Sequence, residues 1–315
     1  MLTVKVTNTE GDPVPDATVV LGWYWYAGSP WVQGPTYRST EATTDTNGNH
    51  TFIAVTRGRL GLSALKEGYY KTSWGSVTND PAIVRIRAKQ HPVPMYAKDA
   101  HFDLPKGDGA FGYDMFQGDL VAPFGVGLTT DLVLHVETTS TNWRGRVYYQ
   151  LHGDVSFPNK GDGIQDFFVP NRVRPTSAYA LPFEAPLDGY YSTLKETNTD
   201  RQNRYRAAGY QRLTDFSRTN VWYWTNDYQL EDYPRNWEEG LHYFLKVRSR
   251  ADGSSCFGFV RGGIRFSYRG ADIPHVEFRY YINPDGTRNI EYDPARNLVK
   301  RFGPFPVREY QPGYP

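Results

Sequence analysis

Few residues in this chain carry obvious chemistry. The seven histidines, His50, His91, His101, His135, His152, His242 and His275, come first, because neutral imidazole is a good ligand for divalent transition ions. None is paired at the close spacing of a helical zinc motif, and His135 and His152 would at most meet across neighbouring strands. The expectation is therefore no metal and no cofactor. Asp45-Thr46-Asn47-Gly48-Asn49 offers hard oxygens of the kind calcium takes, but Gly48 falls two positions early for an EF-hand and Thr56 stands where the bidentate glutamate belongs. It reads as a turn. Asp162, in Lys160-Gly161-Asp162-Gly163, and Asp285 also read as surface turns, with a bound calcium ion as the alternative.

Nucleophilic catalysis needs an activated Ser, Cys or Thr beside a base, and the chain has no Gly-x-Ser-x-Gly elbow. Cys256 opens an apolar run and reads as a small buried hydrophobe. Gly161-Asp162-Gly163 and Arg261-Gly262-Gly263 lack the Lys-Ser/Thr ending that cradles phosphate. Paired carboxylates remain, because a glycosidase needs two acids facing a groove and no fixed spacing. Glu231, Asp232, Glu238 and Glu239 lie among Trp222, Trp224, Tyr228 and Trp237, which is suitable company for sugar and equally ordinary loop composition.

The aromatic clusters say more. Trp and Tyr stack on the weakly polar face of a pyranose and hydrogen-bond at their rims. If Val221 to Tyr228 is extended, Trp222 and Trp224 share one face, and Trp23 and Trp25 do the same against Tyr24 and Tyr26. Trp23, Trp25, Trp31, Trp222, Trp224, Tyr228 and Trp237 are thus the candidate ligand-binding residues; the competing reading buries them in cores or domain interfaces.

The elements that must position these groups are strands. In 315 residues, Gly 30 and Pro 22 accompany 16% aromatic residues, a mixture that argues against a helical bundle and for a turn-rich β protein of about two domains. A formal charge of +1 gives no field to hold nucleic acid or an anionic membrane. One cysteine excludes an intrachain disulfide. No apolar run approaches the ~20 residues of a membrane span. No export signal precedes Leu2-Thr3-Val4-Lys5-Val6, which leaves a cytoplasmic protein or the mature part of an exported one with an initiator Met.

Strand signals run over Leu2 to Val6, Ala17 to Leu21, His50 to Val55, Leu60 to Lys66 and Ile83 to Arg87. Gly11 with Pro13-Val14-Pro15-Asp16-Ala17-Thr18-Val19, then Thr44-Asp45-Thr46-Asn47-Gly48-Asn49-His50-Thr51-Phe52, then Lys66-Glu67-Gly68-Tyr69 resembles the carboxypeptidase regulatory-like domain, a transthyretin-like member of the Ig-like β-sandwiches. The resemblance covers about residues 1–90. It implies an accessory, spacer or anchoring module of exported proteins, without catalytic residues. The aromatic segment between Gly22 and Glu41 lengthens a connection that is often shorter in that family.

His91-Pro92-Val93-Pro94 marks a connector, so the second domain is placed at 91–315. Period-two patterning over Asp131 to Thr138, Arg144 to Leu151, Leu241 to Arg248, Phe257 to Tyr268 and Val276 to Ile282 makes it a larger antiparallel sandwich or jelly-roll-like domain. Asn283-Pro284-Asp285-Gly286 predicts a hairpin returning over Thr287 to Tyr292. Pro170 to Glu239 reads as long loops with one helix, roughly Asp200 to Phe216. The block from Tyr280 to Leu298 also resembles uncharacterised exported bacterial proteins carrying the same first domain, which implies location only. The expected function is a non-catalytic extracytoplasmic binding or accessory protein whose partner is a polysaccharide, a cell-envelope polymer or another surface protein. Self-association as a surface-layer or filament subunit, and a glycan-active hydrolase or lyase, are the alternatives.

Overall fold

A computed structural model describes residues 1–25, 36–53, 60–75, 77, 80–143, 146–169, 176–198, 215–216, 218–219, 241–269 and 273–299. The protein is all-β and of sandwich type, built from mostly antiparallel sheets. Among the described residues a single 3-10 turn, Pro294–Arg296, is the one helical piece. No helix among them is long and apolar enough to cross a membrane.

The chain divides into two compact units: Met1–His91 with Pro170–Leu181, and Pro92–Val169 with Pro182–Gly313. Strands are numbered in chain order. The first unit holds β1 (Leu2–Thr7), β2 (Thr18–Trp25), β3 (Thr36–Thr43), β4 (Asn49–Phe52), β5 (Leu60–Leu65), β6 (Tyr69–Tyr70), β7 (Thr72–Trp74), β8 (Ala82–Arg85), β9 (Arg87–Ala88) and, from much later in the chain, β16 (Thr176–Ser177). One sheet has the order β4-β1-β8, the other β16-β7-β5-β2-β3, and β6 pairs with β9. Alternation dictates the inner face: Val4 and Val6 of β1, Val19 and Leu21 of β2, Leu62 and Ala64 of β5, and Ala82 and Val84 of β8 meet in one buried cluster. The Asp45 turn forms as expected, its carboxylate accepting the Asn47 and Asn49 amides at 2.9 and 2.8 Å, so these lone pairs are used by the backbone.

The second unit stacks two five-stranded sheets. Its strands are β10 (Tyr96–Asp103), β11 (Gly109–Asp114), β12 (Asp119–Leu120), β13 (Leu132–Trp143), β14 (Arg146–Ser156), β15 (Gly163–Phe168), β17 (Thr193–Asn198), β20 (Leu241–Val247), β21 (Cys256–Arg269) and β22 (Ile273–Asn283). The small β18 (Asp215–Phe216) and β19 (Arg218–Thr219) pair with each other. The orders are β10-β22-β21-β20-β15 and β12-β11-β13-β14-β17. Leu132, Leu134 and Val136 of one sheet meet Val276, Phe278 and Tyr280 of the other in a common core. A Cβ at Gly153 of β14 would overlap the ring of Phe266 on β21, so the glycine lets the two layers close on one another.

Three expectations change. The Asn-Pro-Asp-Gly hairpin does not form, because β22 is an interior strand whose two edges are already taken by β10 and β21. Instead the Asn283 amide group bonds the Thr287 hydroxyl at 3.1 Å and the Asn289 carbonyl at 2.9 Å, and Tyr292 bridges to Val93. Part of the expected loop region is strand β17, paired with β14. The helix placed over Asp200 to Phe216 lies outside the described residues except for Asp215–Phe216, which is strand.

Candidate functional site

On the outer face of the β10-β22 ladder, alternation sets Asp99, His101 and Asp103 directly opposite Arg279, Glu277 and His275. Directly opposed side chains start about 5 Å apart. His101 and His275 are diagonal neighbours that both reach the carboxylate between them. Glu277 Oε1 lies 3.8 Å from His101 Nδ1 and 3.4 Å from His275 Nε2. The far nitrogen of each ring is also engaged: His101 Nε2 is 3.0 Å from Asp99 Oδ1, and His275 Nδ1 is 2.7 Å from Asp103 Oδ1. Arg279 pairs with Asp99, and Arg269 with Asp103 at 3.3 Å. The His275 side chain is 12% exposed and that of His101 51%, so the cluster is walled on one side and open to solvent on the other.

Proton bookkeeping gives this geometry a chemical meaning. An ionised carboxylate only accepts, so Asp99 and Asp103 require N–H groups on the ring nitrogens facing them. A neutral imidazole then presents a lone pair at its other nitrogen, and both lone pairs point toward the Glu277 oxygen. Three donors therefore face one another with a cation, either protons or a metal ion, needed among them.

A second polar cluster is buried at one end of the same unit. The Arg248 guanidinium donates to both oxygens of Asp131, at 2.7 and 3.1 Å, and to Asp114 at 3.0 Å, while stacking on Phe116 with 3.5 Å to the ring centroid. Arg248 holds a φ of 55°, in the left-handed region a non-glycine residue rarely adopts. Its amide and that of Ser249 both donate to Asp162, at 2.9 and 2.7 Å. Asp162 is thus a buried anchor rather than a surface turn, with its oxygens committed to the backbone. Burial pushes the Asp114 carboxyl up, yet the amides of Gln117, Leu128, Thr129 and Phe116 outweigh it and hold Asp114 below its usual range. For Asp131 burial prevails, raising its pKa against the pull of Arg248.

Two further groups are isolated. His242 is buried; desolvation, helped by Arg261, drops its pKa to about 4, and its Nδ1 accepts the Gly262 amide at 3.0 Å. Gly262, at φ 76°, sits in the register shift between Arg261 and Arg265 that aims its N–H at the ring. Cys256 is buried and free, and burial pushes its thiol up, the opposite of what a nucleophile needs.

The first unit offers a different surface. Tyr24 on β2 and Tyr37 on β3 are register partners, 55% and 60% exposed, with ring centroids 5.5 Å apart and an edge-on angle of 68°. A Cβ at Gly22 would overlap the Tyr37 hydroxyl, so the hydroxyl end of that ring lies over Gly22. Gly61 of β5, opposite Gly22, continues this low floor. Trp23 is half-buried on the alternation of Val19 and Leu21, which face the core. Trp25 ends β2. Trp31, Trp222, Trp224, Tyr228 and Trp237 lie outside the described residues, as do the acids Glu231, Asp232, Glu238 and Glu239.

Sequence reasoning missed the histidine cluster because it sought helical spacing. The usable signal was Asp-x-His-x-Asp over Asp99–Asp103 and His-x-Glu-x-Arg over His275–Arg279, the period-two spacing that puts three polar groups on one strand face. His135 and His152, the pair it considered, occupy adjacent strands, but His135 is bonded to the Ser156 hydroxyl at 2.8 Å. Compared with protein-family models and with curated proteins, the chain matches none.

Proposed function

We propose that this is a non-catalytic binding protein of the extracytoplasmic space, in which a carboxypeptidase regulatory-like first unit presents an aromatic strand face to a polysaccharide or other cell-envelope polymer. The observation that carries the reading is the exposed Tyr24–Tyr37 pair on the Gly22 and Gly61 floor. An exposed amphipathic ring packed edge-on against its neighbour offers a π-face for stacking and a hydroxyl at the rim, and less conformational entropy is lost when a sugar ring settles on it than on a ring without such a contact.

Retention on insoluble polysaccharides, followed by a glycan array, tests the proposal. Tyr24→Ala and Tyr37→Ala are expected to lower retention at least tenfold with the melting temperature unchanged, and Gly22→Ala to lower it by lifting the Tyr37 ring. No retention of any glycan by the native chain, or equal retention by the tyrosine variants, would overturn it.

A further inference from the structure

We propose that His101, His275 and Glu277 bind one divalent transition-metal ion of the zinc class, with a coordination position left open to water. One ligand atom from each residue, a ring nitrogen of His101, a ring nitrogen of His275 and a carboxylate oxygen of Glu277, lies within 4.8 Å of the other two. Ligands at the usual zinc distances of ~2.0–2.1 Å stand about 3.3–3.4 Å apart along a tetrahedral edge. The separations from Glu277 Oε1, 3.4 Å to His275 and 3.8 Å to His101, lie at that edge and a few tenths of an ångström above it, and the two rings start within 4.8 Å of each other.

The surroundings favour a metal over a chance meeting of surface charges. Each ring is oriented by a carboxylate on its far nitrogen, Asp99 for His101 and Asp103 for His275, and this fixes the tautomers that leave ligating lone pairs free. Those carboxylates are themselves held by Arg279 and Arg269. The three ligands and their orienting carboxylates project from two paired strands, a more rigid base than loops. Two imidazoles and one carboxylate select zinc and its neighbours over calcium or magnesium, which take oxygen donors. Arg265 on β21 is the register partner of Glu277 across the other edge of β22.

Chelator-stripped full-length protein is titrated with Zn2+ by calorimetry and with Co2+ by visible absorption. The expected result is one ion per chain, with a Co2+ spectrum of low coordination number. His275→Ala and Glu277→Gln should each weaken Zn2+ binding at least 100-fold, and Asp103→Asn by about 10–100-fold through loss of ring orientation, whereas His135→Ala should leave it unchanged. Glu277→Gln preserves shape, so it stays informative if His275→Ala is poorly folded. The proposal is overturned if the native chain binds no Zn2+, if Glu277→Gln binds as tightly as the native chain, or if Ca2+ competes equally with Zn2+. The cluster would then be an imidazolium–carboxylate ion-pair network.

Discussion

The second unit contains two polar clusters of similar composition and opposite character. Around Arg248, each carboxylate is buried and its lone pairs are met by guanidinium or backbone N–H donors. Around Glu277, the carboxylate faces two imidazole nitrogens rather than a guanidinium or backbone N–H, and one flank is open to water. Satisfaction is what separates them. A buried charge network with every acceptor occupied can hold strands and loops together but has nothing left to offer a ligand. A half-exposed one with converging lone pairs contributes little to stability and retains binding capacity.

This contrast makes graded predictions. The largest effect is expected from Arg248→Met, which strands Asp131 and Asp114 without their cation and should cost about 3–5 kcal/mol in denaturant unfolding; a loss below ~1 kcal/mol would erase the distinction between the clusters. Acid comes next. His242 has its pKa depressed to about 4 against an ordinary 6.5, so its contribution is complete above about pH 6.5 and is lost as pH falls toward 4, by up to ~3 kcal/mol. His242→Gln should flatten that window, leaving the loss at lower pH where Asp114 takes up its proton. A smaller change is expected for Tyr280→Phe, which removes the 2.8 Å hydrogen bond to the Met115 carbonyl and should cost ~1 kcal/mol. Smallest should be Glu277→Gln and His101→Ala, within ~0.5 kcal/mol of the native chain when metal is absent. A cost matching that of Arg248→Met would make the exposed cluster structural as well.

What the sequence discloses follows the reach of its physics. Period-two patterning found the strands around Val4, Leu134, Val260 and Phe278, because burying one face of a sheet writes alternation locally. The Asn-Pro-Asp-Gly turn misled because a hairpin needs a vacant strand edge, and vacancy depends on the partners of β22 elsewhere in the chain. Asp131 and Arg248 are separated by 117 positions and carry no local mark of their pairing. The histidine cluster lay between these cases. Each half was written in plain alternation, while the register bringing His101 opposite Glu277 was not.

One connection in the first unit reaches further than its size suggests. Two residues, Thr176 and Ser177, zip onto β7, and just beyond them Tyr179 stacks on Tyr70 with ring centroids 4.9 Å apart. A ribosome making this chain must therefore deliver more than half of it before the first unit acquires its last strand. An excised piece ending at His91 would carry a raw, unzipped border along β7, inviting the very strand exchange between copies that the intact polypeptide forestalls.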